Sequence, residues 1–310
     1  MGWKGMQEWS KASTLAIAFV LSGSLAWAAF GPDVAGSGTG ESAWQLPASS
    51  RPVIADTAAR QLVTLNTMDP ARVDQHLDAW ERATTAAEHD RLRRGRAATR
   101  ARMLRERETL SAARVSTVVP MSALGPDGTG QGRAYLMAVV RLTSAKPGGP
   151  PVERVRRLRV FMLLTPHGWR ISDLMEAPGG GVLWLSSTVG NGPPSREFLM
   201  LQDARRMMTD LARGEGRAAL TGSAVADRDR IWRRAGAPGG TGNGQAVDVG
   251  IIRQDDDSAE LLVYLNLGIT ETVTEGYTTK IVPSERGDLA LRVTIVRDGS
   301  GWRISGMRNA

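Results

Sequence analysis

The sequence contains no cysteine and only three histidines among its 310 residues. The absence of cysteine excludes disulfide bonds, thiolate metal ligands and a cysteine nucleophile, and it is compatible with either side of a membrane. The histidines are His76, His89 and His167, and none has a second histidine or a carboxylate at the spacing of a known metal-binding motif. We interpret them as solvated side chains, and we predict no metal and no cofactor.

Motifs that bind phosphate or calcium are also missing. No Walker loop or nucleophile elbow occurs, and the glycine-rich segments 128–132 and 239–244 precede strands instead of joining a strand to a helix. We interpret both segments as loops. The three consecutive aspartates at 255–257 lack further oxygen ligands at regular spacing, so we interpret them as a hairpin turn and not as a calcium site.

Enzymes with helices packed on a curved sheet can pair a buried acid with a tyrosine or a histidine. The predicted strands carry Tyr135 and Tyr264, and Asp248 is the best candidate for an inward-facing carboxylate, with a solvent-facing position as its alternative. Because the strands offer almost no other inward acid, we predict that the protein is not an enzyme. Asp248 or another acid buried beside a tyrosine would reopen that question.

The length and the glycine and proline content indicate two folded domains. A chain of 310 residues is long for one domain and sufficient for two that each bury a core. The 35 glycines and 15 prolines cluster between apolar segments, as is typical of linkers and turns. We predict a first domain over residues 51–178, a linker over 179–194 and a second domain over 195–310.

The N-terminal residues predict a membrane anchor. Lys4 and Lys11 precede an uncharged, mostly apolar segment at 12–32, which has about the 20 residues that a membrane-spanning helix needs. Lysines on that flank favour a cytoplasmic tail at 1–11 and an extracytoplasmic remainder, reached through a flexible linker at 33–50. One alternative is a cleaved signal peptide, with a small-x-small site at 26–28, and another is a buried soluble helix.

An internal repeat organises the rest of the chain. Residues 158–172 align without a gap to residues 291–305, and both segments read as a β-hairpin with alternating apolar residues, a glycine-containing turn and a Gly-Trp-Arg-Ile-Ser return strand. Trp169 and Trp302 occupy equivalent positions, and we predict that each closes the structural core of its domain. Upstream, strands at 135–142 and 114–119 are matched in order by strands at 261–267 and 247–252.

Helical patterns precede the strands in each half. Apolar stripes occur in the first half at Ile54, Ala58, Leu62 and Leu65 and at Val73, Leu77 and Trp80, and in the second half at Phe198, Leu201, Ala204, Met208 and Leu211. Asp69 and Pro70 predict a helix start, and a charged helix after Thr84 and Thr85 is predicted to run to about Leu110. Helices before antiparallel strands, twice over, predict an α+β fold with helices packed on a curved sheet in each domain.

The charged helix is the most distinctive polar feature. The net charge of +7 suits an anionic partner, and the arginines of this helix are spaced so that several share one face. The arginines that we propose as contacts to lipid phosphates or an acidic partner are Arg91, Arg94, Arg96, Arg100, Arg102 and Arg105. The alternative is a solvated helix whose arginines pair locally with Glu88, Asp90, Glu106 and Glu108. Nucleic acid is the least favoured partner, because no aromatic residues interleave the basic residues.

Short motifs give a family resemblance. A membrane span followed by Asn-Thr-Met-Asp-Pro at 66–70, Val-Asp-Gln-His-Leu at 73–77, Ala-Thr-Thr at 83–85 and Gly-Trp-Arg-Ile-Ser-Asp-Leu at 168–174 resembles the actinobacterial Mce-associated membrane proteins. The resemblance implies domains of the nuclear-transport-factor-2-like (NTF2-like, or cystatin-like) fold outside the plasma membrane, in an accessory protein of a mammalian-cell-entry lipid-import complex. The usual member has one such domain, whereas two behind one span resemble the assembly factors of type IV secretion and conjugation machines.

These observations predict a non-catalytic, membrane-anchored scaffold whose partners are protein subunits of an envelope transport or secretion complex, with a homo-oligomer also open. Lipid import of the Mce type is the first choice of complex, and a conjugation or type IV secretion channel is the second. The rival function is a lipid or small-molecule binder, which would need a cavity lined by the faces that carry Met162 and Met137.

Overall fold

The computed structural model describes residues 50–124, 132–177, 196–275, 278–283, 287–299 and 301–310. The chain divides into two compact units, residues 1–38 and 39–310, and every described residue belongs to the second. The predicted anchor at 12–32 and the predicted linker at 179–194 lie outside the described residues. Among the helices of the described residues, none combines the length and the apolar character that crossing a membrane requires.

The first half begins with three helices and ends with an antiparallel sheet. Its elements are α1 (Ser50–Leu65), α2 (Val73–Ala83), α3 (Ala86–Glu106), β1 (Thr109–Leu124), β2 (Arg133–Ala145), β3 (Val152–Thr165) and β4 (Gly168–Glu176). The sheet order is β1-β2-β3-β4. The predicted helix start is confirmed: the Asp69 carboxylate accepts a hydrogen bond from the Ala71 N–H at 2.9 Å and caps a short 3-10 turn at Pro70–Arg72 that leads into α2.

The second half repeats this plan with one addition. Its elements are α4 (Arg196–Arg213), α5 (Gly222–Ala235), β5 (Gln245–Gln254), β6 (Ser258–Asn266), β7 (Thr270–Glu275), β8 (Thr278–Pro283), β9 (Asp288–Asp298) and β10 (Gly301–Asn309). Four of these strands form a sheet in the order β10-β9-β6-β5, and β7 and β8 pair with each other as a separate two-stranded sheet. The sequence repeat therefore corresponds to a repeated four-strand order, into which the second half inserts a hairpin that we did not predict.

A short parallel β-bridge lies against one edge strand of each four-stranded sheet. Thr84 bridges Ile171 on β4, and Leu220 bridges Ile304 on β10, so the segment before α3 and the segment before α5 lie along equivalent edge strands. The N–H groups of Thr85 and Thr221 each donate to the isoleucine carbonyl at 2.8 Å. These contacts cover part of an edge strand that would otherwise expose its backbone groups.

Each sheet packs helices on one face and the other sheet on its opposite face. Along β2, Leu136 and Val140 point to the helix-side core of the first half, whereas Met137 and Val139 point to a core that also contains Leu262 and Tyr264 of β6. The layers thus run helices, sheet, sheet, helices. The helix-side cores are the ones that the sequence stripes predict, with Ile54, Ala58 and Leu62 in the first and Leu201, Ala204, Met208 and Leu211 in the second.

The charged helix is shorter than predicted. We expected α3 to run to about Leu110, but it ends at Glu106, where Arg107 adopts the left-handed conformation and donates its N–H to the Met103 carbonyl at 2.9 Å. Leu110 instead forms a β-bridge with Met68, in which each N–H donates to the other residue's carbonyl at 2.9 Å. This pairing draws the chain into β1.

Candidate functional site

Two arginines of α3 are held by the acidic face of α2. Arg96 donates to the carboxylates of Asp78 and Glu81, each at 2.7 Å, and Arg100 donates to Asp74 at 2.9 Å. The hydrogen bonds that Arg96 donates to Glu81 and Asp78 raise the pKa of Arg96, and the hydrogen bond that Asp74 accepts from Arg100 lowers the pKa of Asp74. These arginines therefore join two helices, through acids that our local-pairing alternative did not include.

Arg91 is also engaged within the protein. Its guanidinium pairs with the buried Glu88 carboxylate and lies 3.5 Å from the Leu174 carbonyl of β4. Burial lowers the pKa of Arg91. This arginine attaches α3 to the edge of the first sheet and is poorly placed to meet a partner.

The outer face of α3 keeps the arginines that a partner can reach. Arg94 is exposed and makes no ion pair among the described residues, and the Arg105 side chain is 73% exposed, with Glu106 at 3.7 Å. Arg102 is half-buried, and Leu104 between them is 41% exposed. Of the six predicted contact arginines, Arg94 and Arg105 therefore present the most accessible charge.

Both repeat tryptophans pack at the rim of a core. Trp169 is half-buried against the helix-side core of the first half, and Trp302 is half-buried against that of the second. Gln61 of α1 fixes the first of them, because its amide donates to the Trp169 carbonyl at 2.7 Å and accepts from the Ile171 N–H at 3.2 Å. The tryptophans thus take equivalent places, each at the border between a core and the surface.

A buried ion pair connects the two sheets. Arg159 of β3 donates through Nε to the Asp248 carboxylate of β5 at 2.7 Å, and the two side chains are 0% and 3% exposed. Burial raises the pKa of Asp248, and the charge of Arg159 opposes that rise. Asp248 therefore faces neither solvent nor a helix-covered cavity, since it lies between the two sheets.

Two tyrosines lie beside this ion pair. The Tyr264 hydroxyl of β6 donates across the interface to the Ala138 carbonyl at 2.7 Å and lies 3.1 Å from the Leu158 carbonyl. Burial, and then the nearby Asp248 charge, raise the pKa of Tyr135 well above its usual value, and burial also raises that of Tyr264. The acid beside a tyrosine that would reopen catalysis is therefore present, but its carboxylate is enclosed and bonded to Arg159.

The two sheets lie close together at Gly250 of β5. A Cβ atom at this position would lie 2.3 Å from the Met121 sulfur, 2.8 Å from a Val119 methyl and 3.4 Å from the Met137 sulfur. The face that carries Met137 is therefore occupied by the opposite sheet. Met162 is likewise buried against the helix-side core of the first half.

An open groove runs along the edge of the first half where α1 and α2 meet the β3–β4 hairpin. It consists of two adjoining cavities of about 430 Å³ and 280 Å³, which share Arg82 and Arg170. We name it the edge groove, and its lining residues are Val53, Thr57, Arg60, Gln61, Asp78, Glu81, Arg82, His89, His167, Gly168, Trp169 and Arg170. The sequence patterns did not predict the edge groove, although Trp169, His89 and His167, which line it, were among the residues that we considered.

The remaining candidates take the positions that their patterns suggested. His76 lies on α2, Asp255, Asp256 and Asp257 form an exposed turn between β5 and β6, and the glycine-rich segment 239–244 precedes β5. Within the described ranges, no group of three or more histidine, aspartate or glutamate side chains is placed to hold a metal ion.

Comparisons with known proteins give distant structural likenesses. No protein-family model matches the sequence, and no curated protein matches it. A periplasmic fragment of TraM aligns over 39% of this chain and 92% of its own, at 13% identity and a TM-score of 0.33. The intermembrane-space region of the chloroplast protein ARC6 aligns over 39% of this chain and 95% of its own, at 8% identity and a TM-score of 0.29. An NTF2-like protein involved in plasmid conjugation aligns over 84% of this chain and 96% of its own, at 10% identity and a TM-score of 0.24. At these identities and scores the likenesses assign neither a family nor a function to this chain.

Proposed function

We propose that this chain is a non-catalytic scaffold, tethered outside the plasma membrane by its N-terminal segment, that contributes protein-binding surfaces to an envelope-spanning assembly. One observation carries the proposal: the sheet faces that would line a ligand cavity are filled. Met162 is packed under the helices, and Met137 is packed against Gly250 of the opposite sheet. A protein that holds a lipid or small molecule inside one of its domains would need one of these faces to be open.

The enclosed ion pair supports a non-catalytic role. A general acid or base must come within hydrogen-bond distance of a substrate, directly or through one water. Asp248 is 3% exposed, and its carboxylate is bonded to Arg159 across the sheet interface. Its chemistry in this position is to fix one sheet against the other.

The repeated topology supports one of the two candidate assemblies. The Mce-associated proteins that the motifs resemble usually have one domain, whereas the four-strand order occurs twice here. We therefore favour a conjugation or type IV secretion channel, with lipid import of the Mce type as the alternative.

Site-specific crosslinking in the cells that make the protein tests the scaffold function. A photoreactive residue at position 94, on the exposed face of α3, is expected to crosslink to a subunit of an envelope channel or transporter. Position 206 is the matched control, because Arg206 is an arginine of the second half with a 72% exposed side chain. Loss of plasmid transfer or of lipid uptake on deletion of the gene then distinguishes the two assemblies.

A bound ligand without a specific crosslink would contradict the scaffold function. Purification of the full-length chain with a stoichiometric lipid or small molecule, together with no protein crosslink at position 94 above that at position 206, would replace the scaffold function by ligand binding.

A further inference from the structure

The edge groove has an unbalanced positive charge. Its acids, Asp78 and Glu81, are engaged by Arg96, which donates to each at 2.7 Å. Its Arg60 is paired with Asp56 on the same helix. Arg82 and Arg170, which both cavities share, make no ion pair among the described residues. The groove therefore presents two guanidinium groups that have no ion-pair partner among the described residues.

The repeat shows how an arginine equivalent to Arg170 is used in the second half. Arg303 is the equivalent of Arg170, and in the second half it pairs with Asp298 at 3.1 Å and donates to the carbonyls of Ala218 and Leu220 at 3.0 and 3.3 Å. Those bonds tie the edge strand β10 to the segment before α5. In the second half, the guanidinium at this position is therefore bonded to groups of the protein itself.

The first half lacks the carboxylate that pairs with Arg303 in the second half. The repeat register that pairs Leu158 with Leu291 places Thr165 where the second half has Asp298, and the Thr165 hydroxyl donates to the Gly168 carbonyl instead. The equivalent parallel bridges at Thr84 and Leu220 place Arg82 where the second half has Ala218. Compared with the second half, the first half therefore has one carboxylate fewer and one guanidinium more at this place in the fold.

We infer that the edge groove binds an acidic, extended peptide segment of a partner protein through Arg82 and Arg170. This inference rests on the proposed scaffold function and names the class of partner for one of its surfaces. Guanidinium groups bind carboxylates with paired, charge-assisted hydrogen bonds, and arginine clusters are a recurrent way to recognise acidic motifs. Val53 at the rim is 60% exposed and Trp169 forms part of the wall, so an apolar side chain next to the acids would also find contacts.

The surroundings favour a peptide over a lipid. A lipid held by its headgroup would place its acyl chains beside the groove, where an apolar surface would have to receive them. The lining residues include the polar Thr57, Arg60 and Asp78, and their apolar side chains are those of Val53 and Trp169, which form too small a surface for acyl chains. A peptide needs only the charge and the local apolar contacts that the groove supplies.

Peptide binding to the purified full-length protein tests this inference. The probe is a fluorescein-labelled peptide of alternating aspartate and leucine, and its control replaces each aspartate by asparagine. We expect anisotropy to show binding of the acidic peptide alone, and we expect binding to weaken as the ionic strength rises beyond about 0.1 M, where the Debye length is about 10 Å. Arg82→Glu/Arg170→Glu should weaken binding by at least about tenfold, because like charges then oppose the peptide.

A matched double variant separates the groove from the overall charge. Arg206→Glu/Arg230→Glu makes the same change of charge at arginines whose side chains are 72% and 57% exposed, outside the groove. It should bind the peptide within about twofold of the unmodified protein, as expected for charges remote from the contact. If circular dichroism shows that Arg82→Glu/Arg170→Glu is misfolded, Arg82→Gln/Arg170→Gln takes its place. The expected loss of peptide affinity is then smaller.

Three results would overturn the inference. The first is equal weakening by both double variants, and the second is no binding of the acidic peptide at low ionic strength. The third is binding of phosphatidylglycerol vesicles that depends on Arg82 and Arg170 while the peptide fails to bind, which would assign the groove to lipid headgroups. Each result leaves the crosslinking test at position 94 intact, so failure of this inference is distinguishable from failure of the scaffold function.

Discussion

The ion pair of Arg159 and Asp248 sets the energetics of the sheet interface at the scale of single residues. Both side chains are buried, so each charge depends on the other for the solvation that it gives up. Removing one partner leaves the other as an unpaired charge, which is more costly than removing both. This asymmetry makes the pair a sensitive point for mutation.

Arg159→Met should destabilise the protein by about 3–5 kcal/mol at neutral pH, because it leaves the Asp248 carboxylate buried without its ion-pair partner. Burial already raises the pKa of Asp248, and the opposing charge of Arg159 is then lost, so the pKa rises further. The folded state of the variant binds the proton more tightly than the unfolded state. Its free energy of unfolding therefore falls as the pH rises through the raised pKa, and the variant comes closest to the unmodified protein at acid pH.

Urea unfolding at several pH values measures this effect. The double variant Arg159→Met/Asp248→Leu, which removes both charges, should recover most of the lost stability at neutral pH. A single variant that is equally destabilised at every pH would show that Asp248 is not the group responsible.

Gly250 is the second residue on which the interface depends. Gly250→Ala should destabilise the protein by about 1–3 kcal/mol, since its Cβ would collide with Met121 and Val119 and force the sheets apart. Gly306→Ala is the control, because this β10 glycine has no heavy atom within 4 Å of the added Cβ. Thermal denaturation of the two variants compares them, and an unchanged midpoint for Gly250→Ala would argue against the close approach of the sheets.

At the scale of elements, α3 shows which arginines are structural and which are free. Arg96 bridges to two acids of α2 with a 31% exposed side chain, whereas Arg94 is exposed and forms no ion pair among the described residues. Arg96→Ala should cost about 0.5–1 kcal/mol of stability, and less at high salt, while Arg94→Ala should have little effect on stability. Denaturant titrations at low and high salt compare the variants, and equal losses at both positions would contradict the division.

The elements also show how far sequence reasoning reaches. The 3.6-residue stripes of α1, α2 and α4 and the alternation in the repeated hairpin predict helices and strands because each pattern reports which face is buried. The acids of α2 that bind Arg96 and Arg100 are distant in sequence from those arginines. No local sequence pattern therefore predicts these ion pairs between α2 and α3. The end of α3 depends on the pairing of Leu110 with Met68, which is also a tertiary contact.

The edge groove could have been found in part. The repeat alignment places Thr165 opposite Asp298, and a lost carboxylate beside a retained arginine is visible in the sequence. The place of Arg82 next to Arg170 required the parallel bridge between Thr84 and Ile171. A duplicated sequence thus indicates which charge has lost its partner, while the fold shows what stands beside it.

At the scale of the whole molecule, the two halves share a core that neither completes alone. Val119, Met137 and Val139 of the first sheet pack with Leu262 and Tyr264 of the second, and all of them are buried. Burial of a large apolar side chain contributes about 1.5–3 kcal/mol, so separation of the sheets would remove a large part of the stability of each half. The sequence predicts two domains with their own cores. The continuous apolar runs at 136–140 and 261–265 are typical of strands buried on both faces, but they do not show that the second face of each sheet packs on the other sheet.

The shared core predicts that residues 39–310 unfold as one cooperative unit. Calorimetry on the full-length protein should show one main transition, with the calorimetric and van't Hoff enthalpies in agreement. Residues 50–177 expressed alone should be less stable and should bind the hydrophobic dye ANS, because the face that carries Met137 and Val139 is uncovered. Adding residues 196–310 should suppress the dye binding and raise the midpoint, whereas adding the same segment with Gly250→Ala should do so less. Two separate transitions in the full-length protein, with each half as stable alone as in the chain, would instead mean that the sheet interface contributes little and that Arg159 and Asp248 hold together domains that fold independently.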